Sequence, residues 1–311
     1  MPLDPRAKRI IDMMSAGAAA TAASTGIEAR REGFRKLMRM AAAPVIIGSV
    51  EERSLPGPGG VLPARLYSPD KAPTGLLPGL VFFHGGGLVA GSLDTHDAMC
   101  RTLAAAAACR VVSVSYRLAP ESRFPAAIED ACAASAWIAA HGAAFGIDPE
   151  RLAVGGDSAG GTLAAVVCQW ARGSRTPRFA AQLLLCPVLD FAATSASRSA
   201  FSRGYLLDET TMQRDLTHYL HGETALDDPR ISPLRVADAS GLPCALIHTA
   251  EFDPLRDEGL AYAELLASAD VQVRHTCHAG MIHHFYGMTA ILPEAQAALE
   301  RIGAELRTTL E

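Results

Sequence analysis

Gly156-Asp157-Ser158-Ala159-Gly160-Gly161 sets one hydroxyl among glycines, where an apolar run, Leu152–Gly155, meets a small-residue run, Ala159–Ala171. The first run reads as a strand and the second as a helix, so Ser158 stands at a strand-to-helix elbow. The turn is so tight that the residues beside the serine must be nearly free of side chain, which explains Gly156 and Gly160. An elbow of this kind lifts the Ser158 hydroxyl above the sheet. It also aims the Ala159 N–H, in the first helical turn, at whatever the serine attacks. The chemistry is nucleophilic catalysis at a carbonyl. The bland alternative is a glycine-rich turn, and the strand and helix on either side count against it.

His84-Gly85-Gly86-Gly87 follows another short apolar run, Leu80–Phe83. Three glycines let bare backbone N–H groups face a ligand. Such a loop supplies the other half of an oxyanion hole, where one donor is worth ~3–4 kcal/mol of transition-state stabilisation. A phosphate cradle is the competing use, but the loop has neither the Gly-Lys-Ser/Thr ending nor the helix-start glycine spacing of nucleotide sites. His84 itself reads as structural, anchoring the loop by hydrogen bonds.

A serine is a weak nucleophile at neutral pH and needs a base, which in turn needs an orienting carboxylate. His218 and His221 fall in an irregular stretch, and His248 and His275 fall inside strand-like runs. The loop Ala279-Gly280-Met281-Ile282-His283-His284-Phe285, after the last strand-like run, can swing an imidazole to the top of a sheet. Asp253, at the exit of the run Cys244–Thr249 and just before Pro254, is the candidate acid. Asp257 and Glu258 read as first-turn helix acids. Asp157 reads as a structural partner for the loops around the elbow, and Arg117 and Glu121 as ties between the Tyr116 strand and its neighbours. Asp208-Glu209 and Asp227-Asp228 read as helix caps or solvated charge.

These residues need a scaffold, and the pattern of elements predicts one. Val45–Arg53 and Val61–Tyr67 alternate around a Pro/Gly turn and read as strand–turn–strand. Leu80–Phe83, Arg110–Tyr116, Leu152–Gly155, Gln182–Cys186, Cys244–Thr249 and Val271–Thr276 read as further strands. Ala126–His141, Ala159–Ala171, Asp257–Ala269 and Pro293–Leu310 read as helices. Strands alternating with helices predict a mostly parallel sheet covered on both faces. Phe191 to about Ala239 breaks the rhythm with no strand-like run, and predicts a helical cap over the C-terminal edge of the sheet. Tyr205, Leu206, Leu207 and Met212 in that stretch read as cap core or as acyl-pocket lining. Leu88, beside the glycine loop, reads as a pocket residue.

Composition excludes other classes. The 311 residues are 49% hydrophobic and 20% charged, with a net charge of −5. That is ordinary globular composition, with nothing basic enough for a nucleic-acid partner. Seven scattered cysteines form no zinc-type spacing and predict reduced, buried thiols. No apolar run reaches the roughly 18 residues of a membrane span, and charges interrupt the N-terminus where a signal peptide needs an apolar core. Together these predict a cytoplasmic protein that inserts in no membrane.

The joint set of motifs resembles the bacterial hormone-sensitive-lipase-like family of α/β-hydrolases. His84–Gly87 matches its HGGG motif and Gly156–Gly161 its GDSAGG elbow. Tyr116–Glu121, Ser232-Pro233-Leu234, Asp253–Gly259 and Leu3-Asp4-Pro5 match further landmarks, so the likeness covers nearly the whole chain. The family usually carries His-Gly-Phe at the base, and this chain has His283-His284-Phe285.

The resemblance implies an α/β-hydrolase fold with an N-terminal helical cap segment (1–43), a core in two parts (44–190 and 241–311) and a cap insertion (191–240). It implies hydrolysis of carboxylic esters of short-to-medium acyl chains by a Ser158–Asp253–His283 triad, His283 being assigned by register. Ala159 and two of Gly85, Gly86 and Gly87 would hold the oxyanion, Gly86 first among them. Leu88, Tyr205 and Leu206 would touch a small-molecule ester, and no metal or organic cofactor is called for. The same triad could instead cleave an amide, carbamate or lactone, or transfer an acyl group. Plant gibberellin receptors resemble the family but lack the working histidine, whereas all three triad residues are present here. Relatives often dimerise through an edge strand, which implies a homodimer.

Overall fold

The computed structural model describes residues 1–20, 26–70, 75–174, 177–222 and 224–311. Residues 21–25, within the expected N-terminal helical cap segment, and residue 223, within the insertion, lie outside the described residues. In chain order the elements are α1 (Pro5–Ala20), α2 (Ile27–Ala41), β1 (Ser49–Gly57), β2 (Gly60–Ser68), β3 (Leu77–Phe83), α3 (Asp97–Ala107), β4 (Arg110–Val114), α4 (Ala126–Ala140), β5 (Ile147–Asp157), α5 (Ala159–Ser174), β6 (Ala181–Leu185), α6 (Ala196–Ala200), α7 (Glu209–Tyr219), β7 (Cys244–Phe252), α8 (Arg256–Ser268), β8 (Val273–Ile282) and α9 (Pro293–Leu310).

The eight strands form one sheet in the order β1-β2-β4-β3-β5-β6-β7-β8. The β1–β2 and β2–β4 pairs are antiparallel, and every pair from β4 through β3 to β8 is parallel. Period-two alternation divides the strand residues between two cores. Val81, Phe83, Val112, Val154, Leu184 and Ile247 face one core with α4, α5 and α8. Leu80, Phe82, Val111, Ala153, Leu183 and Leu246 face the other with α3, α9 and the N-terminal helices. A strand buried on both faces must be apolar at every position, which is why β3 is buried along its whole length.

Three expectations shift. The first strand begins at Ser49, four residues beyond the sequence reading, and continues through Pro56, because the ladder with β2 runs Ser49↔Ser68 to Gly57↔Gly60. Proline is tolerated there because β1 is an edge strand. The last strand does not end near Thr276 but runs to Ile282, so His283 is the first residue past a strand and not a mid-loop residue. The helix α3 has no counterpart in the sequence reading, its small, apolar residues giving weak periodicity.

The insertion contains α6, α7 and a single turn at Pro233–Arg235, with no strand among its described residues. The Asp208 side chain accepts the Thr211 N–H at 2.7 Å and caps α7. At the other end of the chain, Asp4 accepts the N–H groups of Arg6 and Ala7 and so caps α1. The Asp4 N–H also donates to Gly280 O at 3.0 Å, which moors α1 just before the end of β8. Glu258, read as a first-turn acid, is buried and receives Leu189 N, Asp190 N and Arg198 Nε within 2.9 Å. It therefore ties the insertion to α8.

Candidate active site

The site is assembled at the C-terminal ends of parallel strands: β3 leads into the glycine loop, β5 into Ser158, β7 into Asp253 and β8 into His283. In such sheets the carboxyl ends of the strands are where loops converge on a ligand. Ser158 has φ 52°, a left-handed conformation unusual for a residue with a side chain. The elbow leaves no room around it. A Cβ on Gly156 would stand 2.5 Å from the Phe83 carbonyl oxygen, and one on Gly160 would overlap that same oxygen. The elbow is pinned by Ser158 N–H donating to Leu185 O at 2.8 Å.

His283 Nε2 lies 3.0 Å from Ser158 Oγ, and His283 Nδ1 lies 2.7 Å from Asp253 Oδ2. The other oxygen of Asp253 accepts Leu255 N–H at 2.9 Å. Asp253 is fully buried, and Ser158 and His283 are nearly so. Three residues spread over 125 positions of sequence thus form one chain of hydrogen bonds.

The glycine loop divides its labour. Gly85 N–H is spent on Asp157 Oδ1 at 2.8 Å, with His96 Nε2 at 3.3 Å, and Gly85 does not line the cavity over Ser158. Of the three candidate glycines, two of which were expected at the oxyanion, Gly85 is therefore the one to set aside: it anchors the loop. The N–H groups of Gly86, Gly87 and Ala159 meet no acceptor among the described residues, and all three residues line the cavity with Ser158. Gly86 and Gly87 have φ 120° and 68°, which few residues but glycine adopt.

Asp157 sits beneath this loop. Its Oδ1 is 3.0 Å from His96 Nε2 and its Oδ2 is 2.8 Å from His284 Nδ1. Burial pushes its carboxyl up, yet the two imidazoles outweigh that and hold it well below the usual carboxylate range. The second imidazole of the His-His pair thus faces away from Ser158 toward Asp157, with its Nε2 2.9 Å from Met38 Sδ. Burial lowers the His284 ring below its ordinary value against the pull of Asp157. His84 is anchored as expected, with Nδ1 donating to Gly85 O at 2.9 Å and its ring stacked on Tyr116 at 4.4 Å. Burial and the neighbouring His96 push it down to about 4.

Two triplets, His96/Asp157/His284 and Cys186/Asp253/His283, bring potential metal ligands together. Their imidazole–carboxylate separations of 2.7 to 3.0 Å are hydrogen-bond distances. Ligands about 2.1 Å from a tetrahedral ion stand farther apart than that, so the sets do not fit a metal as they stand.

A cavity of about 600 Å³ opens above Ser158. Its walls come from α1 and α2 (Ile11, Phe34, Leu37) and from the insertion (Tyr205, Leu206, Leu207, Met212, Tyr219). Tyr205 stacks on Phe252 at 5.9 Å and packs edge-on against Phe201 at 5.0 Å. Leu88 does not line it. That side chain is buried in the core on the α4–α5 face of the sheet, with φ 63° turning it from the cavity. Sequence reasoning also missed Arg30, Phe34, Arg198 and Asp215, since a lining residue on a helix carries no local signal of the cavity it faces.

Arg117 binds Asp130 through bonds of 2.8 to 3.0 Å, tying the segment after β4 to α4. Glu121 instead reaches Arg31 of α2, at 2.6 and 2.8 Å, a helix the sequence did not connect to it. All seven cysteines are free; against the expectation of buried thiols, Cys132 and Cys244 are half-buried and Cys277 is exposed.

A single sheet with a strand-to-helix elbow serine hydrogen-bonded to a His–Asp pair is the arrangement of the α/β-hydrolases, and residues 80–287 match the family described as the alpha/beta hydrolase fold. The chain belongs to that family, in the hormone-sensitive-lipase-like branch. It is 43% identical over 293 residues to carboxylic ester hydrolase LipN of Mycobacterium tuberculosis, covering 91% of this chain and 77% of that protein. It is 40% identical over 256 residues to an ethyl acetate hydrolase of Pseudomonas putida, covering 81% and 80%. An α/β-hydrolase enzyme from the metagenome of Lake Arreo superposes with a TM-score of 0.94 at 39% identity, covering 98% of both chains. A hyperthermophilic esterase of Pyrobaculum calidifontis gives 0.91 at 39% identity, covering 99% of both.

Proposed function

We propose that the protein is a serine carboxylesterase that hydrolyses small esters of short-to-medium acyl chains through an acyl-enzyme on Ser158. It is a carboxylic ester hydrolase, as are the relatives it resembles. The observation that carries the finer reading is the His283 ring held between Ser158 Oγ at 3.0 Å and Asp253 at 2.7 Å. In this reading His283 Nε2 takes the Ser158 proton as Oγ attacks the ester carbonyl. Asp253 keeps the remaining proton on Nδ1 and stabilises the imidazolium. Charge developing on the carbonyl oxygen is received by the N–H groups of Ala159, Gly86 and Gly87. Collapse expels the alcohol, which takes its proton from His283. A water deprotonated by the same ring then releases the acid.

A cavity of about 600 Å³ suits a small ester and is too small to enclose a long-chain triacylglycerol. The test is a panel of p-nitrophenyl esters from acetate to palmitate, with Ser158→Ala beside the parent. Turnover peaking at short or medium chains and lost in the variant supports the reading. A folded protein that cleaves no ester overturns it and points to amide, carbamate or lactone bonds.

The same reading includes a homodimer. β8 pairs only with β7 among the described residues and leaves its outer edge for a second copy. Sedimentation at micromolar concentration tests it, and a monomer removes it.

A further inference from the structure

The cavity wall holds one ion pair whose hydrogen-bonding capacity is not filled. Arg30 of α2 and Asp215 of α7 meet at 3.0 Å between Nη2 and Oδ2, and both line the cavity. Asp215 is 5% exposed. Its second oxygen, Oδ1, is buried and has no hydrogen-bond partner among the described residues, as is also true of Arg30 Nε. The guanidinium lies 5.6 Å over the Phe34 ring, and the charges of Arg214 and His218 on α7 also act on the Asp215 carboxylate. Buried carboxylate oxygens without donors cost free energy, so a ligand that brings a donor gains what the free protein forgoes.

The position of the carboxylate says where that donor must be. A Cβ on Gly87 would overlap Asp215 Oδ2 and lie 3.0 Å from its Cγ, so the carboxylate packs directly against this loop. The Gly87 N–H is one of the groups assigned above to the oxyanion. A group reaching Asp215 therefore branches from the substrate close to the reacting carbonyl. The chemistry of the donor follows from Arg30. Its guanidinium, with Arg214 and His218 beside it, leaves no surplus negative charge to draw an ammonium group, and a neutral hydroxyl fits. We propose, resting on the esterase reading, that Asp215 is a specificity-determining residue that selects esters bearing a hydroxyl near the scissile carbonyl, through a hydrogen bond to its carboxylate.

The hydroxyl could sit on the acid or on the alcohol, and two pairs of substrates separate the cases. Ethyl 3-hydroxybutyrate is compared with ethyl 3-methylbutyrate, and 2-hydroxyethyl butyrate with propyl butyrate, all by pH-stat titration. Each enzymatic ratio of kcat/KM is divided by the ratio of alkaline hydrolysis rates, which removes the inductive effect of the hydroxyl. The parent enzyme is expected to favour the hydroxylated member of at least one pair by about tenfold or more, as befits a bond to a charged acceptor. Asp215→Leu is expected to bring that ratio to one or below. Asp215→Asn, which keeps shape but not charge, is expected to lower it severalfold. A ratio taken on one preparation is independent of the fraction folded, so poor folding of either variant does not blur the result. A parent ratio near one in both pairs overturns the proposal, as does a preference that survives Asp215→Leu. Failure to cleave any of the four esters would instead overturn the esterase reading itself.

Discussion

The carboxylate of Asp157, one residue before the elbow serine, receives the backbone N–H of Gly85 at 2.8 Å. This bond joins the loop of Ser158 to the loop that carries the proposed oxyanion donors, so the two halves of the site keep register. Asp157→Ala would leave the Gly85 N–H and two buried imidazoles without an acceptor, at a cost of ~1–3 kcal/mol or more. We expect a lowered urea midpoint and a fall in kcat with little change in KM. Asp157→Asn, which keeps one acceptor oxygen for Gly85, should lie between.

His283→Gln should cut kcat by ~10³-fold or more, since it removes the proposed base. His284→Gly should cost far less. His284 has φ 59°, which glycine adopts freely, and its ring reaches Asp157 and Met38 but not Ser158. Steady-state rates on one short ester separate the two imidazoles, and a comparable loss in both variants would contradict the assignment.

Asp253→Asn preserves size but presents an amide to His283 Nδ1 and so favours the wrong tautomer. A loss of ~10⁴-fold in kcat with an unchanged circular dichroism spectrum is expected, by analogy with other serine hydrolases.

Gly160→Ala should give little or no folded protein, because its Cβ would fall on the Phe83 carbonyl oxygen. Gly173→Ala in the same helix meets nothing within 4 Å and should stabilise by ~0.5–1 kcal/mol. Thermal midpoints of the two variants test whether the elbow, and not helix α5 as such, demands glycine.

His248 of β7 and His278 of β8 stand 3.4 Å apart, both buried. Burial pushes them down to about 3 and about 4 from an ordinary 6.5. The folded state therefore keeps both rings neutral where the unfolded chain takes up protons. Stability is intact above pH 6.5 and falls as pH drops below it, by up to ~1.4 kcal/mol per unit for each ring until its folded value is reached. His278→Gln should flatten the decline in urea midpoint between pH 6.5 and 4, and an unchanged slope would contradict this account.

The elbow, the glycine loop and Asp253 were legible because each is a local demand. A tight turn needs Gly156 and Gly160, and exposed N–H groups need glycine at 86 and 87. Period-two and continuous apolar runs likewise gave the parallel sheet, because each strand's neighbours dictate its burial. The choice between His283 and His284 was not local, nor were the exclusion of Leu88 and the choice among the three glycines of the loop. Those depend on where β8 ends, which way a backbone at φ 63° turns a side chain, and which acceptor reaches an N–H from 72 residues away. The chain by itself determined which groups were available for chemistry. Only the packing of α2 and α7 over the sheet decided which of them share a cavity, because contacts between distant segments leave no periodic trace in either one.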